Sequence, residues 1–316
     1  MNRGFQRSWW LALIALCIQQ AASTGIITVC FLLEINYLYP VLIFGSASLL
    51  VPIVIGGIWV VQDGGKVLET VPAKGFSPRI IPYCILLPIM IQQFIGYAMG
   101  PVNAVFYILF GTAQDSIPAP DSIGTFILTF IALCIAAPVF EEVLCRGVIM
   151  KLLEKYGFLI MVLGSACLFA ALHLEIQSIL PIFFLGVLFA VIRHATGSIW
   201  PSMLMHAANN FLAILSLMLA QSSWAESGGV TIVLISLAIL CPFAVWRFLK
   251  LLDGPWKENI QMKSGIRIGV SSAMIILIVL IAVFNTAIMA NRMISGDMAA
   301  DLRQLIEETG FTAGRG

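Results

Sequence analysis

Long apolar runs separated by short polar breaks dominate the chain, and their lengths define its elements. A run of about 20 apolar residues spans the hydrocarbon of a bilayer as a helix. By that measure the first span covers roughly Trp9 to Leu33, softened by Gln19 and Gln20, and the second Val41 to Val61. A glycine- and proline-punctuated polar loop, Asp63 to Arg79, leads to span 3, Ile80 to Met99. Pro101 to Thr112 is apolar but too short to cross, and Asp115 to Asp121 reads as a plain loop. Span 4 starts near Ile123 and continues as one helix to Tyr156, with Pro138 as a kink point. Gly157 ends it, and span 5 (Phe158 to His173) turns straight back. Span 6 is Ile179 to Ile192, Thr196-Gly197-Ser198 makes a turn, and span 7 runs from Ile199 to Leu219. Spans 8 (Val230 to Val245) and 9 (Val270 to Met289) precede a polar tail, Ala290 to Gly316.

The pattern predicts an all-α polytopic transmembrane bundle of about nine spans, without an internal repeat or a separate soluble domain. Its basic residues set the orientation. With a cytoplasmic N-terminus, all of the 17 lysines and arginines except Arg292, Arg303 and Arg315 fall on the inner side. That is the bias the positive-inside rule describes. Eight spans would break the alternation, so nine is preferred. The basic N-terminus, Met1 to Ser8, resembles that of a signal peptide. The apolar run continues without a small-residue cleavage site followed by polar sequence, so it reads as a retained first span. Composition agrees: 60% hydrophobic, 10% charged, and a mean hydropathy of +1.01. A net charge of +1 gives no reason to expect nucleic acid as a partner. The seven cysteines lie in apolar segments at irregular spacing, as packing residues do.

Against this background a few polar residues need a reason. Glu141 and Glu142 follow an uncharged run, and an acid within a span costs roughly 2.5–3.5 kcal/mol on insertion scales. Arg146 lies four residues after Glu142, on the same helix face, and accounts for Glu142 as a structural ion pair. Adjacent residues point about 100° apart, so one arginine is a poor partner for both, and Glu141 is left to explain. Three histidines occur in the chain. His194 sits at a span end and reads as a solvated residue, whereas His173 and His206 fall in spans 5 and 7. Asn210 shares a helix face with His206. Taken singly, each of these is ordinarily interhelical glue.

Their depths favour a joint role. Glu141 lies 16 residues before Gly157 and His173 16 after, which sets them level on an antiparallel helix pair. His206 is nine residues beyond Gly197, about 13 Å from the inner-side turn. If the tip carrying Lys151, Glu154 and Lys155 projects from the membrane, Glu141, His173, His206 and Asn210 meet in the inner half of the bilayer. Intramembrane ionisable groups that gather so are a functional-site hypothesis.

Glu141-Glu142-x-x-x-Arg146, then Phe169-x-x-x-His173, then His206-x-x-x-Asn210, in that order, resemble the motif set of the CPBP intramembrane proteases. That family includes CAAX prenyl endopeptidases of the Ras-converting-enzyme type and "abortive infection" homologues. Thr196-Gly-Ser-Ile-Trp200-Pro-Ser is similar to the family's run-in to its last motif. The resemblance covers Ile123 to Leu215 and divides the chain into a motif-free region 1–122, a catalytic core 123–219 and a C-terminal region 220–316. It implies an intramembrane endopeptidase in which Glu141 activates a water, His173 holds that water or a metal, and His206 and Asn210 stabilise the oxyanion. Glu142 and Arg146 would orient the helix behind them. Family members are usually called metalloproteases. Zinc therefore stays open, with His173 and His206 as its candidate ligands, although no HExxH motif is present. The expected substrate is a membrane-bound peptide or protein, and the short loops lean toward a bacterial inner membrane. The competing reading is a non-catalytic scaffold or immunity-type protein that uses the same motifs for helix packing. A transporter ranks below both, because spans 1–3 carry almost no ionisable residue and no inverted repeat is evident.

Overall fold

A computed structural model describes residues 3–110, 119–173, 176–220, 229–252 and 272–295, with single positions beyond. Residues 115–118 of the expected loop and most of the polar tail lie outside the described residues. Those described form an all-α bundle without a strand; Ala73 and Ser198 make an isolated antiparallel bridge. The helices are α1 (Arg3–Leu32), α2 (Leu38–Ala47), α3 (Leu50–Gln62), α4 (Ile81–Ala98) and α5 (Gly100–Phe110). After them come α6 (Ile123–Tyr156), α7 (Phe158–Ala171), α8 (Ile176–Thr196), α9 (Trp200–Ala220), α10 (Gly229–Leu251) and α11 (Ser272–Ser295).

Seven helices among the described residues, counting α2 and α3 as one broken span, are long and apolar enough to cross a membrane. They correspond to spans 1–4 and 6–8, and the protein is a multi-pass integral membrane protein. Span 5 differs from expectation. Its helix is 14 residues, about 21 Å, and ends at Ala171, so His173 lies beyond the helix rather than within it. Span 2 is interrupted at Ser48 and Leu49, where the Ser48 hydroxyl donates to the Gly45 carbonyl (2.6 Å).

The long helix α6 organises the rest. Ser122 and Thr125 form a reciprocal capping box at its start. Two stretches, Ile131–Ala136 and Val143–Ile149, are π-helical, flanking the turn that carries Glu141 and Glu142. Gly157, at φ +94°, supplies the left-handed conformation that lets the chain reverse into α7. The second half of α6 lies in the core: Leu144, Cys145, Ile149, Met150 and Leu153 pack with Met161, Leu168 and Phe169 of α7 and Phe189 of α8.

One end of the bundle collects the loops that the charge pattern assigns to a single side. The Phe5 amide donates to the Tyr156 hydroxyl (3.1 Å). Arg7 and Lys155 both pair with Asp63, at 2.6 and 2.8 Å, and Lys151 pairs with Glu69 at 3.0 Å. Lys155 above all, with Arg7 and Arg3, holds the Asp63 carboxyl below the usual carboxylate range, against a smaller opposing effect of burial. Such a carboxylate adds stability at neutral pH that is lost as pH falls through its lowered pKa. Asp63→Asn is therefore expected to cost under about 1 kcal/mol in detergent at pH 7, and the difference from wild type to vanish in acid. Thermal unfolding across that pH range checks it.

The same end is tied to the helix that carries His206. The Ile199 amide donates to the Pro72 carbonyl (2.8 Å), next to the Ala73–Ser198 bridge. Residues 67–70 lie against Gly147, where an added Cβ would fall on the Thr70 carbonyl itself. Backbone cannot yield as a flexible side chain can, so Gly147→Ala forces the two segments apart. A loss of about 1–3 kcal/mol is expected, read as a lower melting temperature of the purified protein.

Candidate active site

The two glutamates of α6 occupy different environments. Glu142 is fully buried, whereas the Glu141 side chain keeps 15% of its surface open. Glu142 faces Arg146 one turn on, with Oε1 at 3.2 Å from Nη1. The Arg146 guanidinium is itself fully buried. It donates to the Gly186 carbonyl (3.2 Å) and lies over the rings of Phe169 (4.2 Å) and Phe189 (5.2 Å). A buried pair stands only with such additional partners, because desolvation otherwise exceeds the Coulomb gain. Gly186 sits against Ala166 of α7, a spacing that a Cβ would crowd.

Glu142 has a second partner. His206 Nδ1 lies 3.1 Å from the same Oε1. A carboxylate only accepts, so Nδ1–H is the donor, and this fixes how the ring is turned. The ring stacks on Phe189 (5.4 Å) and stands edge-on to Phe169 (5.6 Å). Its other nitrogen, Nε2, faces Glu141 Oε2 at 3.9 Å. That gap is too long for a direct hydrogen bond. It is short enough for one water at about 2.8 Å from each to touch both.

Asn210, one turn along α9, is anchored by the irregularity in α6. In the π stretch the Ala137 amide donates five residues back, to the Ala132 carbonyl. The next donor in that register would belong to Pro138, which has no N–H. The Leu133 carbonyl is thereby left over, and Asn210 Nδ2 donates to it at 2.8 Å. Asn209 Nδ2 donates to Asn210 Oδ1 (3.3 Å) and fixes which way the amide is turned. One Nδ2 hydrogen of Asn210 remains for a ligand. In the second π stretch the Cys145 carbonyl accepts from Ser165 Oγ (3.0 Å) and joins α6 to α7.

Four of the six residues singled out from sequence, Glu141, Glu142, Arg146 and His206, therefore form one connected group, and Asn210 is fastened beside it to the same two helices. His173 stands apart. It is exposed, its Nδ1 lies 3.0 Å from the Phe169 carbonyl, and its ring meets the edge of Phe169 (5.2 Å). Among the described residues no hydrogen bond or ion pair joins it to Glu141 or His206. Its link to the group is Phe169, which also touches His206 and Arg146. Nor do three His, Cys, Asp or Glu side chains among the described residues gather as a metal site would require. With Nδ1 on Glu142, His206 has Nε2 open, but His173 is not opposite it. The tentative zinc pair of His173 and His206 thus does not fit this arrangement. Sequence reasoning missed the contributions of Phe189, Asn209 and the Leu133 carbonyl; for the last, Pro138 was the available signal.

Neither the curated proteins nor the solved structures gave a match to the chain. A family model described as "Type II CAAX prenyl endopeptidase Rce1-like" matches residues 123–212, from the start of α6 to beyond Asn210 in α9. That stretch holds every residue of the group just described and all three motifs in their expected order. Over residues 123–212 the chain is thus similar to the Rce1-like type II CAAX prenyl endopeptidases, a family of proteases.

Proposed function

We propose that this protein is an intramembrane endopeptidase that hydrolyses a membrane-bound peptide or protein, with Glu141 as the base. The observation that carries the reading is the split between the two carboxylates. One is sealed against Arg146 and His206, while the other is open and faces His206 Nε2 across a water-sized gap.

In this reading a water between Glu141 and His206 gives its proton to Glu141 as its oxygen bonds to the scissile carbonyl carbon. The oxyanion is met by the free Nδ2 hydrogen of Asn210, and by His206 Nε2 when both ring nitrogens carry protons. Preorganised donors of this kind are worth roughly 10²–10³ in rate each. Glu141 then passes its proton to the leaving amine as the C–N bond breaks. Glu142, held by Arg146, keeps the imidazole turned. His173, at the rim beside Phe169, is assigned to the same water when substrate closes the site. In this reading the active site opens on the cation-rich side of the membrane. We assign that side to the cytoplasm and the protein to a bacterial inner membrane.

The test compares the protein termini of whole membranes from cells carrying wild type or Glu141→Gln at equal abundance. Termini found only with wild type establish proteolysis and identify the substrate. Identical sets overturn the proposal and leave the group as helix-packing architecture.

A further inference from the structure

A groove that shares no lining residue with this site lies between α4 and α10. Pro82, Leu86 and Met90 of α4 and Leu240, Phe243 and Arg247 of α10 are among its lining residues, and it encloses about 560 Å³. Its floor is closed by buried Leu87 and by the contact between Tyr83 and buried Phe248 (5.6 Å). The walls, Leu86, Leu240 and Phe243, are open to the outside. The helices run in opposite senses, so Pro82 and Arg247 share one end and Met90 and Leu240 the other. From Pro82 to Met90 the groove is about 12 Å long, most of one leaflet's hydrocarbon.

The two ends differ in chemistry. The far end is wholly apolar. At the near end, Arg247 is exposed at the groove's mouth. Lys250, one turn on, lies over the exposed Trp246 ring at 3.8 Å. Exposed Arg79 sits in the Pro78–Ile80 turn that packs against α10. Three cations and an interfacial tryptophan thus cap a hydrocarbon slot at the end of the bundle where the basic loops collect.

We infer that this groove is a binding site for one anionic phospholipid, an acyl chain lying along Leu86, Met90, Leu240 and Phe243 and the headgroup phosphate among Arg247, Lys250 and Arg79. A zwitterionic lipid fills the slot equally well, but its ammonium is repelled by the cations that attract its phosphate, so the net headgroup charge decides occupancy.

The experiment is native mass spectrometry of the purified full-length protein in neutral detergent, offered phosphatidylglycerol and phosphatidylcholine in equal amounts. Wild type is expected to retain phosphatidylglycerol preferentially. Arg247→Gln should lower that retention about fivefold, the worth of one cation near an anionic lipid. Ala244→Trp, which fills the groove and keeps every charge, should lower it as well. Lys66→Gln, a charge loss away from the groove, should leave it unchanged. Equal retention of the two lipids by wild type overturns the inference, as does an equal loss in Lys66→Gln, which makes the preference a general surface effect. Unchanged retention in Ala244→Trp accompanied by loss of a dimer mass gives the groove to a second copy of the chain and also overturns it.

Discussion

Glu141→Gln is expected to lower proteolytic turnover by roughly 10²–10⁴-fold, the usual worth of a positioned general base, while the protein accumulates and melts as wild type does. The amide keeps the shape of the carboxyl and can still hold a water, but it cannot take the proton. Among the described residues Glu141 has no ion pair closer than 3.9 Å, the distance to His206 Nε2, and part of its surface is open. The fold therefore has little to lose from the change. This is the combination a packing role does not produce. A glutamate that served helix packing alone would tolerate glutamine in every assay, and full activity in this variant would falsify the catalytic assignment. The measurement is initial cleavage rate on a substrate identified from the membrane termini, beside a melting curve of the same preparation.

Arg146→Ala should fail in the opposite way. It leaves Glu142 buried with a charge whose remaining partner is the His206 ring, and breaking one side of a buried pair costs about 3–5 kcal/mol. It also removes the group that fills the space between Phe169 and Phe189. Loss of folded protein is the expected outcome, seen as reduced accumulation and a broad early melting transition. The double variant Glu142→Leu with Arg146→Met separates the two roles of Glu142. Replacing both members of a buried pair by apolar groups is often neutral for stability. Folding should largely return, yet activity should not, because His206 loses the acceptor that turns its ring. Recovery of activity together with stability would show that Glu142 acts on packing alone.

Much of this was legible in the chain because a membrane leaves few readings open for a polar residue. The run from Ile123 to Val139 carries no charge, so Glu141, Glu142 and Arg146 were conspicuous, and the four-residue spacing of Glu142 and Arg146 gave their pairing directly. Gly157 was readable as a reversal for a backbone reason, and it adopts the positive φ that the reversal needs. Three things were not legible. Helical rise was extended to His173, but the last turn of α7 ends at Ala171, and periodicity does not reveal where a helix stops short of a polar residue. The second partner of Glu142 could not be foreseen, because (i, i+4) spacing describes one helix and His206 arrives from another. The π stretches of α6 were also hidden, since an extra residue per turn leaves no mark in a sequence that is apolar on every side.

Pro138 shows what such a hidden irregularity accomplishes. Two helices in lipid gain nothing from burying leucines against each other rather than against acyl chains, so greasy surfaces cannot encode where one docks along another. A missing hydrogen can. By withholding one N–H, Pro138 leaves a single carbonyl on α6 unanswered, and in hydrocarbon an unanswered carbonyl is costly. Asn210 answers it. The proline thereby acts as an address written on one helix and read by another, and it sets the height at which His206 arrives opposite Glu141.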